Sequence, residues 1–218
     1  EIGWAKGHAV TFLPKWHHAK VGSAAHIHMS LVKDGSNVFH DPEGEHGMSE
    51  TMRHFMAGLI AYAADFTVFL APYVNSYKRF AKGTFAPTKT AWSIDNRTAG
   101  FRLVGEGTKG VRVECRIPGS DMNPYLAQAA MLAAGLKGIE DKLTLEPPAG
   151  GDMYENDSVP EIPRTLRAAT ETLRGSSLAR EAFGEKVVAH YVRCAEWEQE
   201  EFDRVVTDWE IARGFERA

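Results

Sequence analysis

The chain has 218 residues, of which 44% are hydrophobic and 25% are charged, and its formal net charge is −4 at pH 7. This composition is typical of a globular protein with one domain, or one domain plus an appendage. The negative charge argues against partners that need a basic surface, so we expect neither nucleic acid nor a membrane as a partner. No apolar run reaches the roughly 20 residues of a membrane span, and two distant cysteines, Cys115 and Cys194, favour a cytoplasmic location.

The first clear element in chain order is a strand at residues 26–31, where apolar and polar residues alternate. Three apolar residues share one face: Ile27, Met29 and Leu31. Three polar residues share the other face: His26, His28 and Ser30. A similar strand follows at residues 111–117, with an apolar face made by Val111, Val113, Cys115 and Ile117. Its polar face carries Arg112, Glu114 and Arg116.

Helices are predicted between and after these strands. Residues 49–70 repeat large apolar residues at spacings of three and four, and Pro72 ends this helix. A second helix begins at Asn123-Pro124, with an apolar stripe of Leu132, Leu136, Ile139 and Leu143. Further helices are separated near Gly175 and Gly184, and the charged tail at residues 186–217 is predicted to be helical and peripheral.

The order of strands, helix, strands and helices predicts an α+β fold, with an antiparallel sheet covered by helices on one face. The uncovered face would carry the polar side chains of both strands. A dense set of cations therefore gathers around few carboxylates, which indicates a polyanionic ligand, because guanidinium groups suit carboxylate and phosphate oxygens. Surface ion pairs on a solvated sheet are the alternative for any one such triplet. Glu114 and His26 together suggest a metal site for Mg2+ or Mn2+.

Five motifs, taken together, resemble the catalytic-domain signatures of glutamine synthetase. They are Gly22 to Leu31, Asn75 to Arg79, Ala86-Pro87 with Asn96-Arg97, Arg112 to Arg116, and Asn123 to Leu126. The resemblance implies a glutamine synthetase-like catalytic domain over residues 1–218. It also implies an activity in which ATP phosphorylates the γ-carboxylate of glutamate and a nitrogen nucleophile then displaces the phosphate.

The resemblance implies a role for each matching position. His26 and Glu114 match metal ligands, and Arg97 matches the catalytic arginine that acts on the transferred phosphoryl group. The positions that match glutamate contacts are Gly22, Arg79 and Arg116. The positions that match ATP contacts are His28, Ser30, Arg102, Lys109 and Arg112. Tyr154 falls near a tyrosine that some bacterial members modify with a nucleotide, but its surroundings differ, and we interpret it as an ordinary loop residue.

Two positions depart from the family pattern at the end of the site that receives nitrogen. Phe85 stands where ammonia-using members have a glutamate that helps bind and deprotonate ammonium, and Val21 stands where they usually have an asparagine. An aromatic ring cannot accept a proton, but it can contact an alkyl chain. We therefore hypothesise an organic amine, mono- or polyamine, as the acceptor. The alternatives are an ammonia-dependent glutamine synthetase with a tolerated Phe85, and a non-catalytic structural relative, which would be expected to have lost metal or arginine positions.

The family's N-terminal β-grasp domain and its first catalytic strands, with further metal-binding glutamates, are not recognised ahead of the first motif. We therefore expect this chain to be a fragment that binds metal and ATP weakly and does not turn over alone. The full-length parent is expected to form a homo-oligomeric ring, as family sites lie between subunits.

Overall fold

The computed structural model describes residues 1–217. Its strands are β1 (Ile27–Met29), β2 (Val32–Lys33), β3 (Ser36–Asn37), β4 (Trp92–Ile94), β5 (Phe101–Val104) and β6 (Arg112–Cys115). Its α-helices are α1 (Ile2–Ala5), α2 (Glu50–Tyr62), α3 (Thr67–Leu70), α4 (Val74–Tyr77), α5 (Pro124–Glu140), α6 (Leu166–Gly175), α7 (Ser177–Phe183), α8 (Glu185–Asp203) and α9 (Asp208–Glu216). Two 3-10 helices span Glu45–Gly47 and Met153–Glu155.

Four strands form the main sheet in the order β1-β6-β5-β4, which confirms the α+β class. The pairs β1–β6 and β6–β5 are antiparallel, as expected, but β5 and β4 run parallel, so the sheet is mixed. Parallel neighbours usually need a long crossover. Here the loop of residues 95–100 is long enough. It only has to run back along β4, which has three residues. The amide of Phe101 then donates to the carbonyl of Ala91 at 3.1 Å.

The two faces of the sheet have the polarity that the alternating patterns predict. Val111, Val113, Cys115 and Ile117 are each 0% exposed and belong to the hydrophobic core. That core also includes residues of α2 and α5, so both helices lie on the same side as these apolar side chains. His28, Glu114 and Arg102 occupy directly opposed positions in the register of β1, β6 and β5, which forms a polar row across three strands.

The predicted helix at residues 49–70 is divided into α2 and α3. Ser49 caps α2, its hydroxyl accepting from the Met52 amide at 3.2 Å. The single-helix prediction was wrong at residues 63–66, where turns replace the helix and Phe66 has φ −106° and ψ 6°. Thr67 Oγ1 donates to the carbonyl of Ala63 at 2.8 Å and so satisfies one carbonyl at the break. The helical segment ends at Leu70, as Pro72 predicts.

The start of α5 was predicted correctly, since the Asn123 side chain accepts from the amides of Tyr125 and Leu126. Its predicted stripe was only half right, since Ile139 and Leu143 are partly buried against the core but the two leucines before them are not. Leu132 and Leu136 are 39% and 47% exposed, whereas the buried residues are small for the most part: Ala127, Ala130, Met131, Ala134, Gly135 and Gly138. A Cβ on Gly138 would lie 2.7 Å from the Cα of Gly58 in α2. The helices approach so closely that size, and not hydrophobicity, selects the residues between them.

The C-terminal helices separate at Gly175 and Gly184, as predicted. The tail is only partly peripheral. Val188, Val192 and Ala195 of α8 are buried in the main core, which corrects the prediction for that helix. In α9, by contrast, Trp209 and Ile211 are exposed. Through residue 217, the helices are all too short or too polar to cross a membrane.

Candidate functional site

Glu114 lies at the centre of the polar row, and only 4% of its surface is exposed. Its Oε1 accepts from Arg116 Nη1 at 3.0 Å, and its Oε2 accepts from Arg102 Nη1 at 3.1 Å. Arg102 also pairs with Asp95, which follows β4. Because β5 and β6 are adjacent and in register, their alternation directs these side chains to one face. One buried carboxylate therefore organises two guanidinium groups.

Both predicted histidines face the same carboxylate. His26 Nδ1 lies 3.0 Å from Glu114 Oε1, and His28 Nε2 lies 3.7 Å from that oxygen. The other ring nitrogen of His28, Nδ1, accepts a hydrogen bond from Arg112 Nε at 3.1 Å. The structure thus gathers a charged cluster, in which His26, just before β1, and His28, within β1, meet Arg112, Glu114 and Arg116 from 84 to 90 positions later.

Burial and neighbouring charges together set the protonation states of Glu114 and His26. Burial raises the pKa of the Glu114 carboxyl, but Arg116, His26 and Arg102 together outweigh burial and hold that pKa below its usual value. Burial, assisted by Arg116, lowers the pKa of His26 against the opposing effect of Glu114. At neutral pH we therefore expect an ionised Glu114 beside a neutral His26 that has a lone pair to offer.

A cavity of about 270 Å3 opens next to this cluster. Its lining includes the three predicted glutamate contacts, Gly22, Arg79 and Arg116, together with His26. Arg79 is 2% exposed and donates to the carbonyl of Ile117, while its Nε has no partner among residues 1–217. Burial lowers the pKa of Arg79 to about 10, so the guanidinium stays charged at neutral pH. A buried cation with a free donor is suited to a carboxylate ligand.

Gly22 has a steric role in this cavity. A Cβ at that position would collide with the carbonyl oxygen of Pro14 and lie 2.8 Å from Cγ of Arg79. Backbone atoms cannot easily yield, so any larger residue would displace either the loop or Arg79. The glycine therefore permits the close approach of the 20–24 loop to the arginine.

Phe85 and Val21, the two departures from the family pattern, line the same cavity as Arg79 and Arg116. They are 56% and 64% exposed, so both present apolar surface at its mouth. The residues that sequence reasoning did not identify here are Ala24, Thr84 and Ala86. Ala24 and Ala86 lie within the motifs, but no sequence signal assigns these three residues to the cavity, because only the folding of residues 21–26 against residues 84–86 brings them together.

The predicted ATP contacts are more dispersed. His28 and Ser30 line a second cavity, of about 510 Å3, with Met122 and Gln128, which the sequence had not indicated. The backbone carbonyl of Arg97 accepts from Arg116 Nε at 3.1 Å, and the Arg97 residue itself is exposed. Lys109 is exposed in the loop before β6, where its carbonyl accepts from Asn37. Within the described chain, no hydrogen bond or ion pair joins the Lys109 side chain to the cluster.

Metal binding was predicted at His26 and Glu114. A carboxylate oxygen and an imidazole nitrogen, 3.0 Å apart, suit a hard or borderline divalent ion such as Mg2+ or Mn2+. Across residues 1–217, however, no group of three or more His, Cys, Asp or Glu side chains is arranged to hold a metal. The residues present therefore fit part of a metal site.

A larger cavity lies elsewhere. It measures about 880 Å3, lies between the start of α5 and α8, and is lined largely by apolar and aromatic residues such as Phe69, Leu126 and Trp197. It contains none of the predicted site residues. Chemistry, and not volume, therefore identifies the candidate site.

Comparison with known proteins bears on this site. A family model described as the catalytic domain of glutamine synthetase matches residues 1–214. A gamma-glutamylethanolamide synthetase of Streptomyces coelicolor is 48% identical over 218 residues, which are 100% of this chain and 46% of the relative. A glutamine synthetase of Thermus thermophilus is 43% identical over 93% of this chain and 47% of its own length. A glutamate–isopropylamine ligase of Pseudomonas sp. is 39% identical over 98% of this chain and 47% of its own length. The chain thus spans about half the length of these curated relatives.

Proposed function

Because this chain belongs to the glutamine synthetase family through its catalytic domain, we propose that it forms part of an ATP-dependent ligase that joins glutamate to an organic amine. The γ-carboxylate oxygen of glutamate takes the terminal phosphoryl group of ATP and releases ADP. The amine nitrogen then forms a bond to the carbon of the γ-carboxyl group, phosphate leaves with the electron pair of the broken C–O bond, and the nitrogen loses a proton. Phosphorylation is needed because a carboxylate is a poor electrophile until it carries a good leaving group.

The roles proposed for the site residues follow the family motifs, and charge and position support those of the residues clustered around Glu114. Arg79 and Arg116 bind the carboxylates of glutamate beside Gly22, and Arg97 stabilises the phosphoryl group in transfer. The nucleotide is bound by His28, Ser30, Arg102, Lys109 and Arg112. His26 and Glu114 would hold one divalent ion, Mg2+ or Mn2+, which would supply positive charge to neutralise the phosphate oxygens.

The choice of acceptor rests on one observation, the presence of Phe85 and Val21 in the lining of the 270 Å3 cavity that also contains Arg79 and Arg116. An amine that approaches the activated γ-carboxyl would contact these apolar side chains, which favour an alkyl group over a hydrated ammonium ion. Two of the relatives carry names of amine-using enzymes, for ethanolamine and isopropylamine, which supports the same choice. A small aliphatic amine is therefore the proposed substrate class.

An ammonia-dependent glutamine synthetase is the second candidate. It is favoured by the 43% identity to the Thermus enzyme of that name. In that enzyme another acidic group would have to replace the glutamate that ammonia-using members have where this chain has Phe85. Either enzyme is proposed to act as a homo-oligomer in the cytoplasm.

The deciding experiment measures phosphate release by the full-length protein, with glutamate and ATP, against ammonium, ethanolamine, isopropylamine and a diamine. We expect an amine to give the highest kcat/KM. The variant Phe85→Glu should shift the ratio of kcat/KM for ammonium over amine upwards by at least about tenfold, or about 1.4 kcal/mol of differential transition-state binding. The highest kcat/KM for ammonium in the wild type would overturn the amine assignment.

A further inference from the structure

Residues 81–87, here named the flap, carry Phe85 into the mouth of the cavity. The flap is fastened by a contact from a distant part of the chain. The hydroxyl of Tyr154, in the 3-10 helix Met153–Glu155, donates to the carbonyl of Ala86 at 2.9 Å. The neighbouring Glu155 forms an ion pair with Lys82 at the other end of the flap. One short helix therefore contacts the flap on both sides of Phe85.

The backbone of the flap needs such support. Phe85 has φ of +57°, a left-handed conformation that bulky L-residues rarely adopt. Such a conformation is strained and persists only when surrounding contacts impose it. Thr84 Oγ1 donates to the carbonyl of Ala81 at 2.6 Å, and Ala86 is buried. The Tyr154 hydrogen bond lies one residue beyond the strained position, where it restrains the backbone of the flap.

Tyr154 is itself held firmly. Met153 is 0% exposed and packs against Ala91 and Ala99. The amide of Met153 donates to Thr98 Oγ1 at 3.0 Å, next to Arg97 in sequence. Burial raises the pKa of the Tyr154 hydroxyl, so it remains a donor at neutral pH. The tyrosine thus ties the flap to the loop that carries Arg97, through a buried anchor.

We infer that Tyr154 is a positioning residue of the acceptor site, which holds the flap so that Phe85 faces an incoming amine. The inference rests on the proposed function for the identity of the acceptor. The positioning of the flap by Tyr154 can be measured without it. Tyr154 itself touches no substrate in this role and acts through the backbone of Ala86.

Native-state trypsin digestion of this chain tests the positioning directly. Cleavage after Lys82, an exposed flap residue, requires the flap to open, so its rate follows the open population. In Tyr154→Phe, which keeps the ring and removes the hydroxyl, we expect cleavage there to accelerate by about 2- to 12-fold, the range that corresponds to the loss of one hydrogen bond. Cleavage after the exposed Lys142 should not change, and the control variant Tyr62→Phe on α2 should alter neither site. Unchanged cleavage after Lys82 in Tyr154→Phe would overturn the inference.

Kinetics of the full-length protein test the consequence for the acceptor. Tyr154→Phe should raise KM for the preferred acceptor by about 3- to 10-fold and leave KM for glutamate and ATP within about twofold, because only the flap is loosened. An equal rise for all three substrates would indicate a merely structural role and overturn the inference. If ammonium proves the preferred acceptor while both Tyr154→Phe effects appear, the amine assignment fails and the positioning role stands. If amines are preferred but Tyr154→Phe changes nothing, the amine assignment stands and the positioning role fails.

Discussion

Glu114 and Arg102 lie directly opposite each other in the antiparallel register of β6 and β5, with Glu114 Oε2 3.1 Å from Arg102 Nη1. Arg116 contacts the other oxygen of the same carboxylate. In the variant Glu114→Ala, the two guanidinium groups would lose the carboxylate between them, and Arg102 would keep only its pairing with Asp95. We expect a loss of roughly 3 kcal/mol in the free energy of unfolding, measured by urea denaturation.

The matched control for that variant is Glu181→Ala on α7, at an exposed helical position. Its effect should stay within about 0.5 kcal/mol. A loss below about 1 kcal/mol for Glu114→Ala would mean that Arg102 and Arg116 do not depend on this carboxylate for neutralisation.

The positive φ of Phe85 predicts a difference between two small substitutions at that position. Phe85→Gly and Phe85→Ala both remove the ring, which is more than half exposed, but only glycine tolerates φ of +57° without strain. We expect Phe85→Gly to be more stable than Phe85→Ala by about 1 kcal/mol in urea unfolding. Alanine equal to or better than glycine would show that the flap does not hold this conformation in solution.

The close approach of α2 and α5 predicts that Gly138→Ala is destabilising. The added Cβ would lie 2.7 Å from the backbone of Gly58, so the helices must separate, at a cost of roughly 1–3 kcal/mol. Gly175→Ala, at the last residue of α6, is the control, because a Cβ there meets nothing within 4 Å. That variant should be neutral or slightly stabilising by thermal unfolding, and a similar loss in both would contradict the packing argument.

Glu161 predicts a pH dependence of stability. Arg164 and then Lys89, by hydrogen bonding, lower the pKa of Glu161 from 4.5 to about 2. A carboxyl with a depressed pKa in the folded state stabilises the fold above about pH 4.5, and this contribution is lost as the pH falls towards 2. Since half of the Glu161 side chain is exposed, we expect a contribution below about 1 kcal/mol.

Urea unfolding of wild type and Glu161→Gln at several pH values measures that contribution. The difference between them should be largest near neutral pH and shrink below pH 4.5. In an Arg164→Gln background, the Glu161→Gln difference should be smaller at every pH. A difference that grows as the pH falls would have the wrong sign for a depressed pKa.

Local patterns gave much of the framework. The alternation at residues 111–117 predicted four core residues that are all fully buried, and Asn123-Pro124 predicted the start of α5. The motifs from Gly22 to Leu126 predicted the family, which the match over residues 1–214 confirms. The roles of individual site residues stay predictions.

Tertiary contacts overruled several other local patterns. The leucine stripe of α5 suggested a buried face, yet Leu132 and Leu136 are exposed, since α2 packs against the small residues instead. The break between α2 and α3 and the parallel pairing of β4 with β5 also lacked a sequence signal. Periodicity reports the faces of one element, and it does not report which face a neighbour covers or how closely it approaches.

By itself, therefore, the sequence determined the polarity of the strand faces, the order of the motifs and the family. Only the tertiary structure decided that Phe85 and Val21 share a cavity with Arg79 and Arg116, and that Tyr154, interpreted from sequence as an ordinary loop residue, fastens the flap. Val21 and Arg116 lie 95 positions apart in the chain, and Tyr154 and Ala86 lie 68 apart. These contacts depend on how the strands pair and how the helices pack, which no local window of the chain specifies.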